Sequence, residues 1–359
     1  MYINGVFKAI DAVDVFAKKM QSLADEQLNS IPQTLKSLPL DTFPLLPYNV
    51  LGLQKLRSLL NTDLQKQVIE KNIGQSNNLN HPLPGLDELV KEVIQKQSQG
   101  LIMVMGKGGV GKTITASTIA VLLAKKGFEV HLTTTDPAAH IQDFIKQLKV
   151  LPESLTIDRI DPKIETQRYV EKILSQKGAA LDEEGKKLLL EDLKSPCTEE
   201  VAVFHAFSKV INSAKRKFVV VDTAPTGHTL LLLDTAGSYH REVLRNSVID
   251  AGHIKTPYMA LQDQQMCKIL IVSLPETTPM REAASLQDDL KRAGILPYAW
   301  IINQSLSMQK LITDPVLKSR AAAEIDVIKT IESKLANKTF GIPFIPEKDV
   351  LPVLVNSNS

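Results

Sequence analysis

Eight residues, GKGGVGKT at positions 106–113, constrain the fold of this chain more than any other feature. The apolar run 101–105 precedes them, and the largely apolar segment 115–124 follows them. A glycine-rich loop that ends in Gly-Lys-Thr, between a buried strand and a helix, is typical of a phosphate-binding P-loop. The order therefore predicts a strand, a nucleotide-binding loop and a helix. A chance glycine-rich turn explains neither the flanking segments nor the Gly-Lys-Thr ending.

Each part of this loop has a predicted task in binding a nucleoside triphosphate. Backbone N–H groups wrap the phosphates, and the N-terminus of the following helix adds a favourable dipole. Lys112 is predicted to reach the β- and γ-phosphates, and the Thr113 hydroxyl to ligate Mg²⁺. The predicted binding residues are Gly106, Lys107, Gly108, Gly109, Val110, Gly111, Lys112, Thr113 and Ile114.

Composition excludes several other classes of protein. The chain has 359 residues, 43% hydrophobic and 23% charged, which is ordinary for a globular protein with room for about two domains. A net charge of +2 gives no basic surface, so nucleic acid is not an expected partner. No apolar run approaches the roughly 20 residues of a membrane-spanning helix, and the first residues do not resemble a secretory signal. Two cysteines fit a reducing compartment.

Short apolar runs alternate with amphipathic segments between the P-loop and residue 350. The runs lie at 129–133, 217–221, 268–273 and 299–302. Continuous apolar strands separated by helices predict an α/β fold with a mostly parallel sheet flanked by helices. Residues 160–215 have a charged, helical pattern, which predicts a helical insertion over the strand ends.

The first sixty residues match the end of the chain at a fixed offset of 299 positions. The matching pairs are Ile3 with Ile302, Asn4 with Asn303, Pro44 with Pro343 and Pro47 with Pro346. This predicts that 1–60 is the remnant of a preceding repeat of the module, that 61–98 is a linker and connecting helix, and that 99–359 is the complete module. The chain would then be the later part of a tandem protein whose first nucleotide site is absent. A helical extension unrelated to the repeat is the alternative.

Two carboxylates follow predicted strands close to the P-loop. Asp222 ends the strand that begins at Phe218, where a carboxylate can hold the hydration shell of Mg²⁺. A helix-capping role is the alternative for Asp222. Asp136 ends the strand that begins at Val130, and by analogy with other phosphoryl-transfer sites it is predicted to orient the attacking water.

Five motifs together make a specific resemblance. GKGGVGKT, TTDPAAH at 134–140, SPCTEE at 195–200, DTAPTGHTLLLLD at 222–234 and IINQ at 301–304 resemble the second half of the ArsA type of arsenical pump-driving ATPase. The resemblance covers about residues 95–350, and residues 1–60 resemble the end of that family's first half. The nucleotide-binding part is also similar to tail-anchored-protein targeting ATPases, to MinD-type ATPases and to the nitrogenase iron protein.

The resemblance implies a deviant Walker A P-loop ATPase that uses ATP and Mg²⁺. Lys107 would be its signature lysine and reach a nucleotide bound to the facing half, although alone it is only a charged loop residue. The implied catalytic residues are Lys107, Lys112, Asp136 and Asp222. Asn303 would bind the adenine edge, which its amide donor and acceptor suit, and Pro346 would pack beside the base. A structural role is the alternative for Asn303.

The resemblance also implies a metalloid site at Cys197, His228 and Ser195. As(III) and Sb(III) prefer thiolates, and the rule that soft ligands bind soft metals carries over to them. Pro196 suits the first position of a helix, with Ser195 as its cap. The helix dipole would then favour the Cys197 thiolate. Without the resemblance, a buried structural role suits Cys197, and core burial is expected for Cys267.

The function implied is ATP hydrolysis that drives export of arsenite or antimonite through a membrane carrier. A cytoplasmic protein held peripherally at the membrane by that carrier is expected. Besides the carrier, the expected partners are a first-half module or a second copy of the chain, and a metallochaperone is compatible with the role. With one candidate thiol, metalloid stimulation is expected to be impaired. The alternative is a tail-anchored membrane-protein targeting ATPase, but its Cys-x-x-Cys pair and Met-rich groove have no counterpart in this sequence.

Overall fold

A computed structural model gives the architecture of the chain. It describes residues 1–61, 63, 80–136, 141–177, 181–224 and 256–356. Among these residues, no helix is both long enough and apolar enough to cross a membrane.

The strands form a two-stranded and a seven-stranded sheet. Their bounds are β1 (Tyr2–Val6), β2 (Asp41–Pro44), β3 (Gly100–Met105), β4 (Val130–Thr134), β5 (Leu155–Ile157), β6 (Phe218–Asp222), β7 (Cys267–Ser273), β8 (Ala299–Ser305) and β9 (Thr339–Pro343). β1 pairs with β2, and the larger sheet has the order β5-β4-β6-β3-β7-β8-β9. β3 runs parallel to β6 and β7, β4 to β5 and β6, and β8 to β9.

Helices connect the strands. The α-helices lie at Val15–Asn29, Gln33–Lys36, Leu53–Arg57, Leu86–Lys96, Lys112–Lys125, Ile141–Lys146, Pro162–Lys177, Glu183–Asp192, Pro196–Ser213, Pro257–Gln262, Thr277–Arg292, Pro315–Thr330 and Val350–Asn356. A 3₁₀ turn spans Ser58–Leu60 and a π-turn spans Ile331–Leu335. The predicted α/β fold with a mostly parallel sheet and flanking helices is confirmed. Sequence patterns missed β2, β5 and β9, which are only four, three and five residues long.

Contacts divide the chain into two compact units. The first comprises Met1–Leu86, Ser273–Ala284 and Ala299–Ser357, and the second comprises Asp87–Val272 and Ser285–Tyr298. The predicted division into a remnant, a linker and a complete module stays a prediction, as does the insertion at 160–215, where three of the helices lie.

The second unit has a core of continuous apolar strands. Every residue of β3 and β6 is buried, which is the pattern of strands covered on both faces. The helix Lys112–Lys125 is buried on nearly all its sides, since the residues from Ile114 to Ala124 are buried. A helix without a polar face is stable only inside a protein. The P-loop therefore joins two deeply buried elements of this unit.

The first unit contains two strand pairs with the same register. Tyr2 lies opposite Asp41 in β1 and β2, and Ile301 lies opposite Phe340 in β8 and β9. Adding 299 to both residue numbers of the first pair gives the residue numbers of the second. The register shift also recurs, between Asn4 and Val6 in β1 and between Ile302 and Ser305 in β8. This agreement supports the repeat hypothesis, because unrelated segments have no reason to share a pairing register and a bulge.

Two aspartates join residues 1–60 to the C-terminal part of this unit. Asp14 caps the helix that follows it, since its Oδ1 accepts the N–H of Ala17 at 2.9 Å. Its Oδ2 accepts the N–H groups of Thr313 and Asp314 at 2.7 and 2.8 Å. Burial raises the pKa of Asp14, but these N–H donors outweigh it and lower the pKa below its ordinary value.

Asp314 makes the reciprocal contacts. Its Oδ1 accepts the N–H of Val316 at 2.9 Å and so caps the second helix. Its Oδ2 accepts the N–H groups of Ile10 and Asp11 at 2.7 and 3.1 Å. The two helix N-termini are thus fastened to each other through exchanged carboxylates, beside a shared apolar core. That core includes Phe7, Ala17, Leu306, Val316, Leu317 and Ala321.

Replacing Asp14 with Ala should lower the free energy of unfolding of this unit by about 3 kcal/mol, because a helix cap and two charge-assisted hydrogen bonds are lost. Trp300 is the only tryptophan of the chain and is buried in this unit, so its fluorescence during urea denaturation reports the change. Since the pKa of Asp14 is lowered in the folded state, its contribution should persist above about pH 4 and disappear as the pH falls further. Asp25→Ala, at an exposed position of the same helix, is the control. Equal denaturation midpoints for the two variants would contradict the fastening role of Asp14.

Candidate functional site

The P-loop lies between β3 and the helix that begins at Lys112. Gly109 and Gly111 have φ angles of 79° and 91°, in the left-handed region that favours glycine. A Cβ at Gly106 would lie 2.6 Å from the carbonyl oxygen of Val272, so no side chain fits there. These glycines are therefore required by the backbone path of the loop. Successive backbone N–H groups in loops of this kind can wrap a bound anion.

Lys112 lies inside the loop rather than on its surface. It is 6% exposed, and its Nζ donates to the carbonyl oxygen of Lys107 at 3.1 Å. Desolvation lowers the pKa of Lys112, and the charges of Asp222 and Asp136 oppose this effect. The positive charge of an ammonium group is only weakly compensated when its partner is a neutral carbonyl. It can therefore gain more from a phosphate than from its present partner.

Asp222 ends β6 and is fully buried. Its Oδ2 accepts the Thr113 hydroxyl at 2.8 Å and is 3.4 Å from the Thr134 hydroxyl. Its Oδ1 is buried and has no hydrogen-bond partner among the residues that the structure describes. Burial raises the pKa of Asp222 to about 6, against the lowering effects of Thr113 and Lys112. A buried carboxylate oxygen without a donor, next to the P-loop hydroxyl, fits the hydration shell of Mg²⁺.

Asp136 follows β4 and is half-buried. Its N–H donates to the Thr134 hydroxyl at 3.0 Å, and the same hydroxyl donates to the Asp222 carbonyl oxygen at 3.1 Å. The charge of Asp136 also contributes to the raised pKa of Asp222. The two predicted carboxylates are therefore brought together at the ends of neighbouring parallel strands. The water-orienting role of Asp136 stays a prediction.

Thr134 is the residue of this site that sequence reasoning missed. Its hydroxyl links the chain at Asp136 to the end of β6, and the next residue, Thr135, accepts the N–H of Ala224 through its own hydroxyl at 3.1 Å. The run of three threonines before Asp136 was the available signal, because hydroxyls at strand ends commonly bridge neighbouring backbones.

Asn303 and Pro346 belong to the first unit. Asn303 is 2% exposed, and its Oδ1 accepts the N–H of Gln304 at 2.9 Å. Pro346 is half-buried in the segment after β9, where the Phe344 carbonyl oxygen accepts an N–H from the Gln309 side chain at 2.8 Å. Contact of Asn303 and Pro346 with an adenine base stays a prediction.

The predicted metalloid ligands are described only in part. A helix begins at Pro196, directly after Ser195, as predicted. Cys197 lies in the first turn of this helix. His228 lies outside the described residues. Among those that are described, no three His, Cys, Asp or Glu side chains form a metal-binding cluster. Cys267 is buried as predicted, and burial raises the pKa of its thiol to about 12, so it is unsuited to bind a metalloid as a thiolate.

Comparisons of the sequence with known proteins find ATPases. Residues 99–251 match the family model of the anion-transporting ATPases. An arsenical pump-driving ATPase of Escherichia coli is 47% identical over 346 residues, which are 96% of this chain and 58% of that protein. A putative arsenical pump-driving ATPase 2 of Aquifex aeolicus is 33% identical over an alignment of 281 positions that covers 68% of this chain and 93% of that protein.

The chain belongs to the ArsA family of anion-transporting ATPases. It spans 58% of the length of the Escherichia coli relative. The ATPase get3 of Schizosaccharomyces japonicus is 33% identical over an alignment of 162 positions that covers 43% of this chain and 48% of that protein. The recognition of an ArsA-type P-loop ATPase from its motifs is thus confirmed. The arsenical pump-driving relatives match a much larger share of the chain than the get3 relative does.

Asp222→Asn should stabilise the nucleotide-free protein at pH 8. The folded protein holds the proton of Asp222 up to about pH 6, so stability falls as the pH rises from the unfolded pKa near 3.8 to that value. Raising the pKa of Asp222 by roughly two units corresponds to a loss of about 3 kcal/mol in the free energy of unfolding once this carboxyl is ionised. The neutral amide of Asn does not have this cost. Thermal unfolding followed by circular dichroism should show the gain at pH 8 and little difference near pH 4. Asp143→Asn, at an exposed carboxylate, should change neither value; equal pH profiles for both variants would disprove the burial cost at Asp222.

Proposed function

We propose that this chain binds and hydrolyses ATP with Mg²⁺ at its P-loop. The observation that supports this most strongly is the contact between the Thr113 hydroxyl and Asp222 Oδ2, with the other oxygen of Asp222 buried and lacking a donor within the described residues. Such an arrangement has a high cost in stability and suits a hydrated divalent cation. Bound Mg²⁺ would neutralise phosphate charge, with Thr113 and Asp222 holding it.

The residues of the loop then have distinct tasks. Lys112 exchanges the carbonyl oxygen of Lys107 for phosphate oxygens, which is a gain because a charge-assisted hydrogen bond replaces a neutral acceptor. The N–H groups from Gly108 to Thr113 surround the phosphates. Asp136 orients the attacking water, and Lys107 reaches a nucleotide bound to a facing module.

ATP hydrolysis by this chain is proposed to drive export of arsenite or antimonite through a membrane-embedded carrier. This rests on the relatives that match most of the chain, which are called arsenical pump-driving ATPases. The chain would act in the cytoplasm and associate with the membrane through the carrier. Targeting of tail-anchored proteins is the second candidate, but relatives of the get3 type match only 43% of the chain.

A partner module is proposed to cover the free edge of β1. Within the described part of the chain β1 has one strand neighbour, whereas its counterpart β8 has two. Tyr2 and Phe43, in this small sheet, are 75% and 52% exposed. A strand edge with exposed aromatic side chains is a surface on which another strand can pair. The proposed occupant is a first-half ATPase module, with a second copy of this chain as the alternative.

The metalloid effector is proposed to bind at Cys197, with His228 and Ser195 as the further ligands from this chain. The support is the position of Cys197 in the first turn of a helix, where the dipole favours a thiolate. A trivalent metalloid prefers three soft ligands, and this set offers one thiolate and one imidazole. The partner module is therefore proposed to supply the remaining ligand.

Lys112→Ala should weaken ATP binding more than a hundredfold in calorimetry, since loss of about 3 kcal/mol of phosphate contact has this effect. Because Lys112 is desolvated in the folded protein, its removal is not expected to lower thermal stability. Lys146→Ala, which removes a lysine that is 74% exposed, is the control and should bind like the parent. ATP binding by Lys112→Ala at parental affinity would show that the P-loop assignment is wrong.

Antimonite should stimulate ATP hydrolysis by this chain only weakly, and addition of a separately expressed first-half module should raise the stimulation. Cys197→Ser should remove what the module adds, because the thiolate is lost. Cys267→Ala is the matched control and should keep the response, since that thiol is buried and protonated. Strong stimulation of the chain alone that survives in Cys197→Ser would place the metalloid site elsewhere.

A further inference from the structure

The strand β8 ends in a strained turn. Gln304 has a φ angle of 57° and is the only residue other than glycine with positive φ within the described ranges. Residues with a Cβ rarely adopt this conformation, and it persists where the surroundings impose it. The strain lies directly after Asn303, whose Oδ1 accepts the N–H of Gln304.

The counterpart of this turn in β1 is made without strain. At an offset of 299 positions, Gly5 stands in the place of Gln304 and has a φ angle of 79°. Val6 stands in the place of Ser305. The same bulge can thus be formed by glycine alone. Its strained form in β8 needs an external support, which the β1 copy does not need.

Glu324 supplies that support. Its Oε2 accepts the Ser305 hydroxyl at 3.0 Å and the Ser307 N–H at 2.9 Å, and Glu324 is 8% exposed. The Ser305 and Ser307 hydroxyls are 2.9 Å apart. The carboxylate therefore holds two of the three residues that follow the turn. Burial raises the pKa of Glu324 to about 7, although these donors and the charge of Arg320 lower it.

The turn also fixes the polarity of the Asn303 amide. A backbone N–H can only donate, so the atom of Asn303 that lies 2.9 Å from the Gln304 nitrogen is the oxygen. The amide nitrogen then has a set direction as a donor. Rotation of the amide by 180° would place two donors against each other, which the turn prevents.

From these contacts we propose that Glu324 is a positioning residue for base recognition: by holding the turn at Gln304 it fixes the Asn303 amide and so sets a preference for adenine over guanine. The inference rests on the proposed ATP hydrolysis and on the prediction that Asn303 binds the adenine edge. Adenine presents an N6 amino donor beside the N7 acceptor, which an Asn amide of fixed polarity matches. Guanine presents O6 in place of that donor, so its acceptor would face the amide oxygen.

Glu324→Met and Glu324→Gln test this role, with ATP and GTP hydrolysis measured for each. Met fills similar space without an acceptor, so the turn loses its support. We expect the KM for ATP to rise about tenfold with kcat within about twofold, and the preference for ATP over GTP to fall about tenfold. Gln keeps an oxygen acceptor and should restore both values. Gln304→Gly, which reproduces the strain-free turn of β1, should keep the nucleotide preference and serves as the control.

The outcomes separate this inference from the proposed function. Equal loss of ATP and GTP hydrolysis in Glu324→Met, together with a lower unfolding temperature, would show a structural role only and overturn the inference. A parent protein that binds ATP and GTP equally would overturn the inference and leave the P-loop assignment intact, whereas a parent that binds neither would overturn the proposed function. If Glu324→Met does not fold, Ser305→Ala serves in its place, because it removes one of the two contacts of Glu324. It should lower the preference for ATP over GTP about threefold. An unchanged preference in Ser305→Ala would also overturn the inference.

Discussion

The parallel register of β3, β4 and β6 is the constraint on which the P-loop site depends. Asp222 lies opposite Val104 of β3 on one side and opposite Thr134 of β4 on the other. Because parallel strands end at the same edge of a sheet, this register brings the P-loop after β3, Asp136 after β4 and Asp222 together. A shift of one residue in either pair would turn Asp222 to the other face of the sheet, away from the Thr113 hydroxyl.

The same site concentrates poorly compensated charge. Desolvation lowers the pKa of Lys112 and raises the pKa of Asp222, so burial disfavours the charged form of each group. Their mutual attraction opposes both effects and does not cancel them. Buried charges of this kind contribute little to stability unless they are fully hydrogen-bonded. Their presence at the end of the sheet is explained by binding of a highly charged ligand, for which the protein sacrifices some stability.

The sequence predicted those parts of the fold and site that depend on local pattern. The apolar runs of β3, β6 and β7 and the glycines of the P-loop have strong local signals, because each strand is buried on both faces and Gly109 and Gly111 occupy left-handed backbone. β5 is too short for periodicity to be read. Hydrogen bonds between residues distant in sequence, such as that of Ser305 with Glu324, follow from packing and leave no local signal.

The exchanged contacts of Asp14 and Asp314 explain why residues 1–60 form one unit with the C-terminal segments. Each carboxylate caps its own helix and accepts two N–H groups from the other segment, so neither helix N-terminus is fully satisfied alone. Two copies of one module that meet around an approximate two-fold axis would produce such reciprocal contacts, with equivalent residues exchanged. The turn of β1 has Gly5, which has no strain to support, whereas the turn of β8 has Gln304 and the buried carboxylate of Glu324 behind it. A difference of this kind is expected if only the β8 copy has a base to recognise.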